Sequence, residues 1–291
     1  STDMYVHTPT PAQQEKQSNI RSAFFISDGT AITAETLGKS LLSQFSDVEF
    51  DIQVIPYVDT PLLAREAVQR INNAYQSSNL RPLVFDTIVS DDIREIINAA
   101  DAHNLDIYEG LINRIATEIN HKPNPHTGMA HSRVDSDDYK ARIDAVHFAL
   151  DNDDGARTNH YDGADIILIG LSRSGKTPTS LYLALQYGIR AANYPLTEED
   201  LDTSQLPRVL KPYHHKLFGL TIDTERLVRI RQERKAGSRY ASLAQCQEEQ
   251  RAIQAIYSHQ KIPSLNVSEM SVEEIATRIL QITGLKRRIG V

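Results

Sequence analysis

The chain has 291 residues, of which 40% are hydrophobic and 24% charged, and its formal net charge is −7. This composition indicates a globular protein of one large or two medium domains, and the negative charge argues against nucleic-acid binding as its main role. The single cysteine, Cys246, excludes an intrachain disulfide and a cysteine-based zinc site. No apolar run is long enough for a transmembrane helix, so we expect a cytoplasmic protein that does not bind membranes.

The first 20 residues are polar and rich in proline and glutamine, and they lack the apolar core of a signal peptide. We therefore predict a disordered lead-in over residues 1–20. From residue 21 to residue 135, short apolar runs alternate with helical patterns. This alternation predicts an N-terminal α/β domain with a mostly parallel sheet.

The first predicted strand of this domain ends at Ser27 and runs into Asp28, Gly29 and Thr30 before a helix begins. In open α/β sheets, ligands bind at the carboxyl ends of the strands. Asp28, Thr30 and Thr33 therefore form one candidate site. The alternative is that Ser27, Asp28 or Thr30 only caps the helix that follows.

Three further features follow along the chain before its glycine-rich motif. Pro61 predicts a helix start with Thr60 or Asp59 as its cap, and this helix runs to about Ser77. A long polar loop over residues 121–137 contains three histidines without a recognisable metal spacing, so it is either a solvated loop or, less simply, a metal site. An acidic turn over residues 151–155 is open to two interpretations, a cation site or an acidic surface loop.

A glycine-rich motif organises the second half of the chain. A short apolar run ends at Gly170, and Gly175, Lys176 and Thr177 complete the pattern G-x-x-x-x-G-K-[ST] between a predicted strand and a predicted helix. The backbone N–H groups of such a loop surround phosphate oxygens, the lysine reaches the terminal phosphates and the threonine hydroxyl binds Mg²⁺. The predicted nucleotide-binding residues are Gly170, Leu171, Ser172, Arg173, Ser174, Gly175, Lys176 and Thr177. We predict a P-loop kinase-like domain with a mostly parallel sheet over residues 136–291.

Two features downstream of the motif favour phosphoryl transfer. Asp223 follows a buried strand and is a candidate catalytic base or Mg²⁺ partner, with helix capping as the alternative. The helix that follows is rich in arginine, and a cluster of this kind stabilises a transferring phosphoryl group in mononucleotide kinases. Its phosphate-stabilising candidates are Arg231, Arg234 and Arg239, and the alternative is a solvated helix face paired with glutamates.

These motifs together resemble one family of bacterial regulatory proteins, the regulators of phosphoenolpyruvate synthase and of pyruvate, phosphate dikinase. The resemblance runs from about Ser22 to the C-terminus. It rests on the segments Phe24–Thr36, Arg142–Asp144 leading to Asp153–Gly155, Gly170–Pro178, Ala192–Pro195 and His215–Asp223.

The resemblance implies a bifunctional enzyme with phosphoenolpyruvate synthase as its protein substrate. One activity is a serine/threonine-protein kinase that uses ADP, and not ATP, to phosphorylate a threonine and inactivate the synthase. The other uses inorganic phosphate to remove this group, which releases pyrophosphate. The expected ligands are ADP, Mg²⁺, phosphate and pyrophosphate, and the expected catalytic residues are Lys176 and Asp223, with Asp28 as an alternative to Asp223.

Two other functions remain open from the residues alone. One is a P-loop kinase that acts on a small molecule, and the other is a nucleotide-gated binding module without catalysis. The sequence leaves the oligomeric state open, and an oligomer is compatible with it.

Overall fold

The computed structural model describes residues 20–124, 136–155 and 158–288. The chain divides into two compact units, Ser1–Arg133 and Val134–Val291. Each unit contains a parallel four-stranded sheet, which confirms the predicted α/β class. Residues 1–19 of the predicted lead-in, and His126 and His131 of the polar loop, lie outside the described residues, whereas Ile20, the last residue of the predicted lead-in, already belongs to a strand. Over the described ranges, no helix is long and apolar enough to span a membrane.

The first unit alternates strands and helices. In chain order its elements are β1 Ile20–Ser27, α1 Ile32–Leu42, β2 Glu49–Ile55, α2 Pro61–Ser78, β3 Leu83–Thr87, α3 Asp91–Asn98, β4 His103–Asp106 and α4 Leu111–Ile119. The strand order is β2-β1-β3-β4, so β2 and β3 pair with opposite edges of β1, and β4 pairs with β3. The carboxyl ends of β1 and β3 therefore flank the crevice at which ligands bind in such sheets.

Both faces of β1 are covered. Phe24 and Ile26 pack into one apolar cluster, and Ala23 and Phe25 pack into another. A strand buried on both faces has the continuous apolar sequence typical of parallel sheets. The predicted helix start is confirmed, because Thr60 is the N-cap of α2 and its hydroxyl accepts from the backbone N–H of Leu63 at 3.2 Å.

The second unit also alternates strands with helices. Its elements are α5 Ser136–Asp151, β5 Ile166–Gly170, α6 Lys176–Tyr187, β6 Ala191–Pro195, α7 Glu198–Asp202, β7 Leu217–Thr221, α8 Thr224–Arg234, α9 Leu243–Gln260, β8 Ser264–Asn266 and α10 Val272–Thr283. The strand order is β6-β5-β7-β8, and every residue of β5 is buried. The order places the strand that leads into the glycine-rich motif inside the sheet, with a neighbour on each side.

Two helices beside the motif pack through small side chains. Ala145 and Ala149 of α5 and Ala184 of α6 form a buried cluster of their own. The distance between packed helices depends on the side chains at their contact, so alanines favour a close approach. The C-terminal end of α5 is thereby held next to the helix that begins at Lys176, at the end of the motif.

Candidate functional site

The glycine-rich loop, Gly170–Thr177, connects β5 to α6, as the motif predicts. Its two glycines are required for different reasons. A Cβ atom at Gly170 would lie 2.8 Å from both the Leu220 carbonyl oxygen and the Ser174 hydroxyl oxygen, and contacts this short are steric clashes. Gly175 has a φ of 89°, a left-handed conformation that favours glycine. The loop backbone therefore turns tightly, and α6 begins at Lys176 immediately after it.

Lys176 is the buried cation of this loop. Its side chain is 4% exposed, and Nζ donates to the carbonyl oxygen of Leu171 at 2.7 Å and to the hydroxyl of Ser174 at 3.5 Å. Burial lowers the pKa of Lys176 to about 8, against the opposing effect of the Asp154 and Asp153 carboxylates. The ammonium group remains charged at neutral pH, but it is poorly hydrated, and an anion that reached it would gain strongly from the contact.

The threonine of the motif contacts the acidic turn. The hydroxyl of Thr177 donates to Asp153 Oδ1 at 2.7 Å, and the side-chain amide of Asn193 donates to the same oxygen. Asp153 lies in a 3-10 turn, Asp153–Gly155, that directly follows α5. The sequence left open whether this turn is a cation site or an acidic surface loop. Because the Asp153 carboxylate contacts the glycine-rich loop and is only half-exposed, the structure argues against a purely solvated surface loop.

The neighbouring Asp154 has an unusual backbone. Its φ is 51°, in the left-handed region that non-glycine residues seldom occupy, and its N–H donates to Asn193 Oδ1 at 2.7 Å. Residues held in such conformations are concentrated at functional sites. Sequence reasoning singled out the acidic turn as a whole and did not identify Asp154 as a separate site residue.

A cavity of about 460 Å³ opens on the glycine-rich loop, and we call it the loop cavity. Ser172, Lys176 and Thr177 line it from the loop, Asp154 lines it from the acidic turn and Arg234 lines it from α8. Arginine, lysine and backbone N–H groups facing one cavity suit a polyphosphate chain.

The three arginines proposed as phosphate-stabilising residues have different surroundings. Arg234 lines the loop cavity, whereas Arg231 is 1% exposed and forms an ion pair of 2.6 Å with Glu249. Arg239 is exposed and pairs with Glu198 at 3.0 Å. Of these three, Arg234 is therefore the one that lines the loop cavity. Arg231 and Arg239 are paired with glutamates, as in the alternative, but Arg231 is buried and does not lie on a solvated face. Leu227 and Arg231 are one helical turn apart, and this spacing could have indicated that Arg231 shares a buried helix face.

Asp223 is the N-cap residue of α8, but its side chain does not cap the helix. One of its carboxylate oxygens accepts from the side-chain amide of Asn266 at 2.9 Å, and its backbone N–H donates to the hydroxyl of Ser268. It is not among the residues that line the loop cavity. Asp223 follows β7, as expected, and its side chain is held toward β8 by Asn266.

The second candidate site lies in the first unit. Asp28 Oδ2 accepts from the backbone N–H of Val89 at 3.0 Å, so this carboxylate joins the loops that follow β1 and β3. The N-cap position of α1 is Ala31, which provides no side-chain acceptor. Thr30 makes only a long bond of 3.4 Å to the N–H of Ile32, and Thr33 is exposed.

A buried carboxyl group stands beside Asp28 in the same crevice. Asp86 of β3 is completely buried; one of its oxygens accepts from the N–H of Ile88 at 3.3 Å, and the other has no partner in the described part of the chain. Burial, and then the nearby Asp106 carboxylate, raise the pKa of Asp86 to about 7. Arg94 pairs with Asp106 at 3.1 Å. Asp86 was not predicted as a site residue, since it lies inside a strand of otherwise apolar character.

Comparisons with known proteins add a family to this geometry. The family model described as kinase/pyrophosphorylase matches residues 23–280. A protein of Psychrobacter cryohalolentis named as a phosphoenolpyruvate synthase regulatory protein is 71% identical over 276 residues, which are 95% of this chain and 98% of the relative. A protein of Acinetobacter baylyi with the same name is 64% identical over 270 residues, which are 93% of this chain and 97% of the relative. The chain therefore belongs to the kinase/pyrophosphorylase family.

Proposed function

We propose that this protein is a bifunctional regulatory enzyme of phosphoenolpyruvate synthase that works in the cytoplasm. In one direction it transfers the β-phosphoryl group of ADP to a threonine hydroxyl of the synthase and releases AMP. In the other, inorganic phosphate attacks the phosphothreonine and leaves as pyrophosphate, which restores the hydroxyl. The names of the relatives support the partner, and the family description supports both reactions.

The observation that carries the proposal is the buried Lys176 in a glycine-rich loop that opens on a cavity. Both directions place phosphate oxygens at one anion site: the β-phosphate of ADP in the first, and inorganic phosphate or pyrophosphate in the second. Lys176, Arg234 and the N-terminus of α6 supply positive charge there. The same set of groups therefore serves both reactions.

The residues at the loop also suit Mg²⁺. Its preferred ligands are oxygens, usually one or two carboxylates together with substrate phosphates. Thr177 and Asp153 present a hydroxyl and a carboxylate at one point of the loop, and these two residues would hold the ion. When bound, Mg²⁺ would neutralise charge on the transferring phosphoryl group.

We expect the substitution Asp153→Asn to lower the affinity of the protein for Mg²⁺ in the presence of ADP. Loss of the carboxylate charge removes one ligand or the partner of Thr177, and changes of this kind typically cost about 10- to 100-fold in metal affinity. Isothermal titration of Mg²⁺ into the protein with ADP measures this directly. Asp151→Asn, at an exposed position two residues earlier, is the matched control. Equal Mg²⁺ affinity in Asp153→Asn and the control would contradict the assignment.

Two carboxylates are candidates for the base that accepts the threonine proton. Asp223 is the one predicted from the sequence, and its carboxylate is bound by Asn266. Asp154 lines the loop cavity and is exposed to it. A base must come within hydrogen-bonding distance of the hydroxyl it activates, and on this ground we favour Asp154 over Asp223. Asp28 belongs to the other unit and is kept as the alternative.

A labelling experiment tests the function. The protein is incubated with phosphoenolpyruvate synthase and ADP labelled in its β-phosphate, and we expect the label on a threonine of the synthase with one AMP released for each transfer. Subsequent addition of inorganic phosphate should release labelled pyrophosphate. Absence of label on the synthase after incubation with the labelled ADP would contradict the proposal, and label on a small molecule would identify a small-molecule kinase.

A further inference from the structure

A second cavity lies beside the loop cavity, and we call it the side cavity. Its volume is about 560 Å³, within the range of pockets that enclose small organic ligands. Asp154 and Ser172 line both cavities, so the two adjoin at the glycine-rich loop. A ligand with its phosphates at the loop therefore has space for a further group on this side.

The charges around the side cavity argue against a second phosphate. Its two arginines are each neutralised by a glutamate, Arg231 by Glu249 and Arg239 by Glu198. Asp154 adds a negative charge at the junction with the loop cavity. An anion entering the side cavity would meet no uncompensated cation among the residues that line it, whereas a neutral group would meet no such penalty.

The walls suit a flat, partly polar group. Pro195, Leu196 and the ring of Tyr240 provide apolar surface. The guanidinium of Arg231 lies over the Tyr240 ring at 4.2 Å, and this contact fixes the orientation of the ring. The amide of Gln245 offers both a donor and an acceptor, and its present bonds to Arg239 and Glu198 are long, at 3.4 and 3.5 Å.

One buried polar atom is left without a partner at this wall. Arg231 is 1% exposed and lines the side cavity, and its Nε has no hydrogen-bond partner in the part of the chain that the structure describes. Buried N–H groups are nearly always paired. This nitrogen is itself shielded from solvent, so an acceptor on a ligand would reach it only if the Arg231 side chain shifted.

We propose that the side cavity binds the nucleoside part of the ADP whose phosphates lie at the glycine-rich loop. The proposal rests on the proposed function and adds to it the place of the base and sugar. The base stacks between the apolar walls, the Gln245 amide bonds its edge, and the phosphates extend past Ser172 to Lys176. Stacking on an aromatic ring favours the binding of a nucleic-acid base, so the cavity contributes a measurable share of ADP affinity.

Pyrophosphate provides the internal control, because it carries the phosphates of ADP without the nucleoside. The experiment uses the full chain with the substitution Tyr240→Leu or Gln245→Ala. Isothermal titration measures the binding of ADP and of pyrophosphate to each variant, in the presence of Mg²⁺. We expect the ADP dissociation constant to rise about tenfold or more, while that of pyrophosphate stays within about twofold. Tyr213→Leu, at a half-buried tyrosine that does not line the side cavity, is the matched control. Thermal melting of each variant separates lost binding from lost folding.

The other outcomes are equally clear. Unchanged ADP affinity in both well-folded cavity variants would overturn the nucleoside site, and so would equal weakening of ADP and pyrophosphate. Reduced transfer to the synthase with unchanged ADP affinity would also overturn it, because the cavity would then receive the acceptor. If the unaltered protein binds ADP but transfers no label, the proposed function fails while the nucleoside site stands.

Discussion

Replacing Lys176 by methionine is expected to reduce ADP-dependent phosphorylation of the synthase by at least about a hundred- to a thousandfold, the usual loss when one preorganised charge-stabilising donor is removed. The ammonium group of Lys176 is buried at the loop cavity, where its attraction to phosphate oxygens is little screened by water. Methionine keeps most of the side-chain volume and removes the charge. Initial rates of label transfer, measured with saturating ADP, give the loss in turnover.

Folding should survive the Lys176→Met substitution. The ammonium is desolvated, as its lowered pKa of about 8 shows, so an apolar side chain at this buried position costs little stability. The matched control is Lys211→Met at an exposed position of the same unit, which should leave the rate unchanged. Transfer at the normal rate by a folded Lys176→Met variant would show that the glycine-rich loop is not the phosphoryl-transfer site.

Replacing Asp86 by asparagine is expected to flatten the dependence of stability on pH. The folded pKa of Asp86 is about 7, whereas the unfolded value is near 3.8, so between these values the folded protein holds a proton that the unfolded chain has lost. The stability that this proton provides is fully present below the unfolded pKa and is lost as the pH rises through the folded pKa. Asparagine is neutral throughout and keeps an oxygen for the N–H of Ile88.

The size of the Asp86 effect follows from the same pKa difference. Above about pH 8, Asp86→Asn should be more stable than the parent by up to about 4 kcal/mol, and near pH 4 the difference should vanish. Urea unfolding across this range measures the change, with the exposed Asp101→Asn as control. The neighbouring Asp106, Arg94 and Asp28 are the titratable groups that act on the pKa of Asp86. Parallel pH profiles for parent and variant would show that Asp86 is already ionised when folded at neutral pH.

Local signals in the sequence predicted the elements that depend on local chemistry. Pro61 and Thr60 define the start of α2, as the sequence predicts, and Gly188, with a φ of 66°, caps the C-terminal end of α6 as glycine commonly does. Boundaries set by tertiary pairing were less accurate. The buried strand expected before Asp223 begins only at Leu217, because residues 208–216 form a 3-10 segment. The order of the strands in each sheet has no local signature and could not be predicted.

The residues of the candidate site were predicted unevenly for the same reason. The glycine-rich loop is a continuous motif, so its position and its Lys176 follow from spacing alone. The contact between Thr177 and Asp153 joins residues 24 positions apart, and composition indicated only that an acidic turn preceded the loop. Arg231 meets Glu249 across two helices, and an arginine-rich helix does not reveal which of its cations is neutralised.

The alanine contact between α5 and α6 determines where the acidic turn lies relative to the glycine-rich loop. Ala145 and Ala149 set how closely α5 lies against Ala184, and α5 ends directly before the turn that carries Asp153. A larger side chain at this contact would push the helices apart and draw the Asp153 carboxylate away from the Thr177 hydroxyl. The spacing of the two helices thus controls the distance between the two oxygens at the loop. Under the proposed function it would also tune the affinity for Mg²⁺ from residues that do not contact the ion.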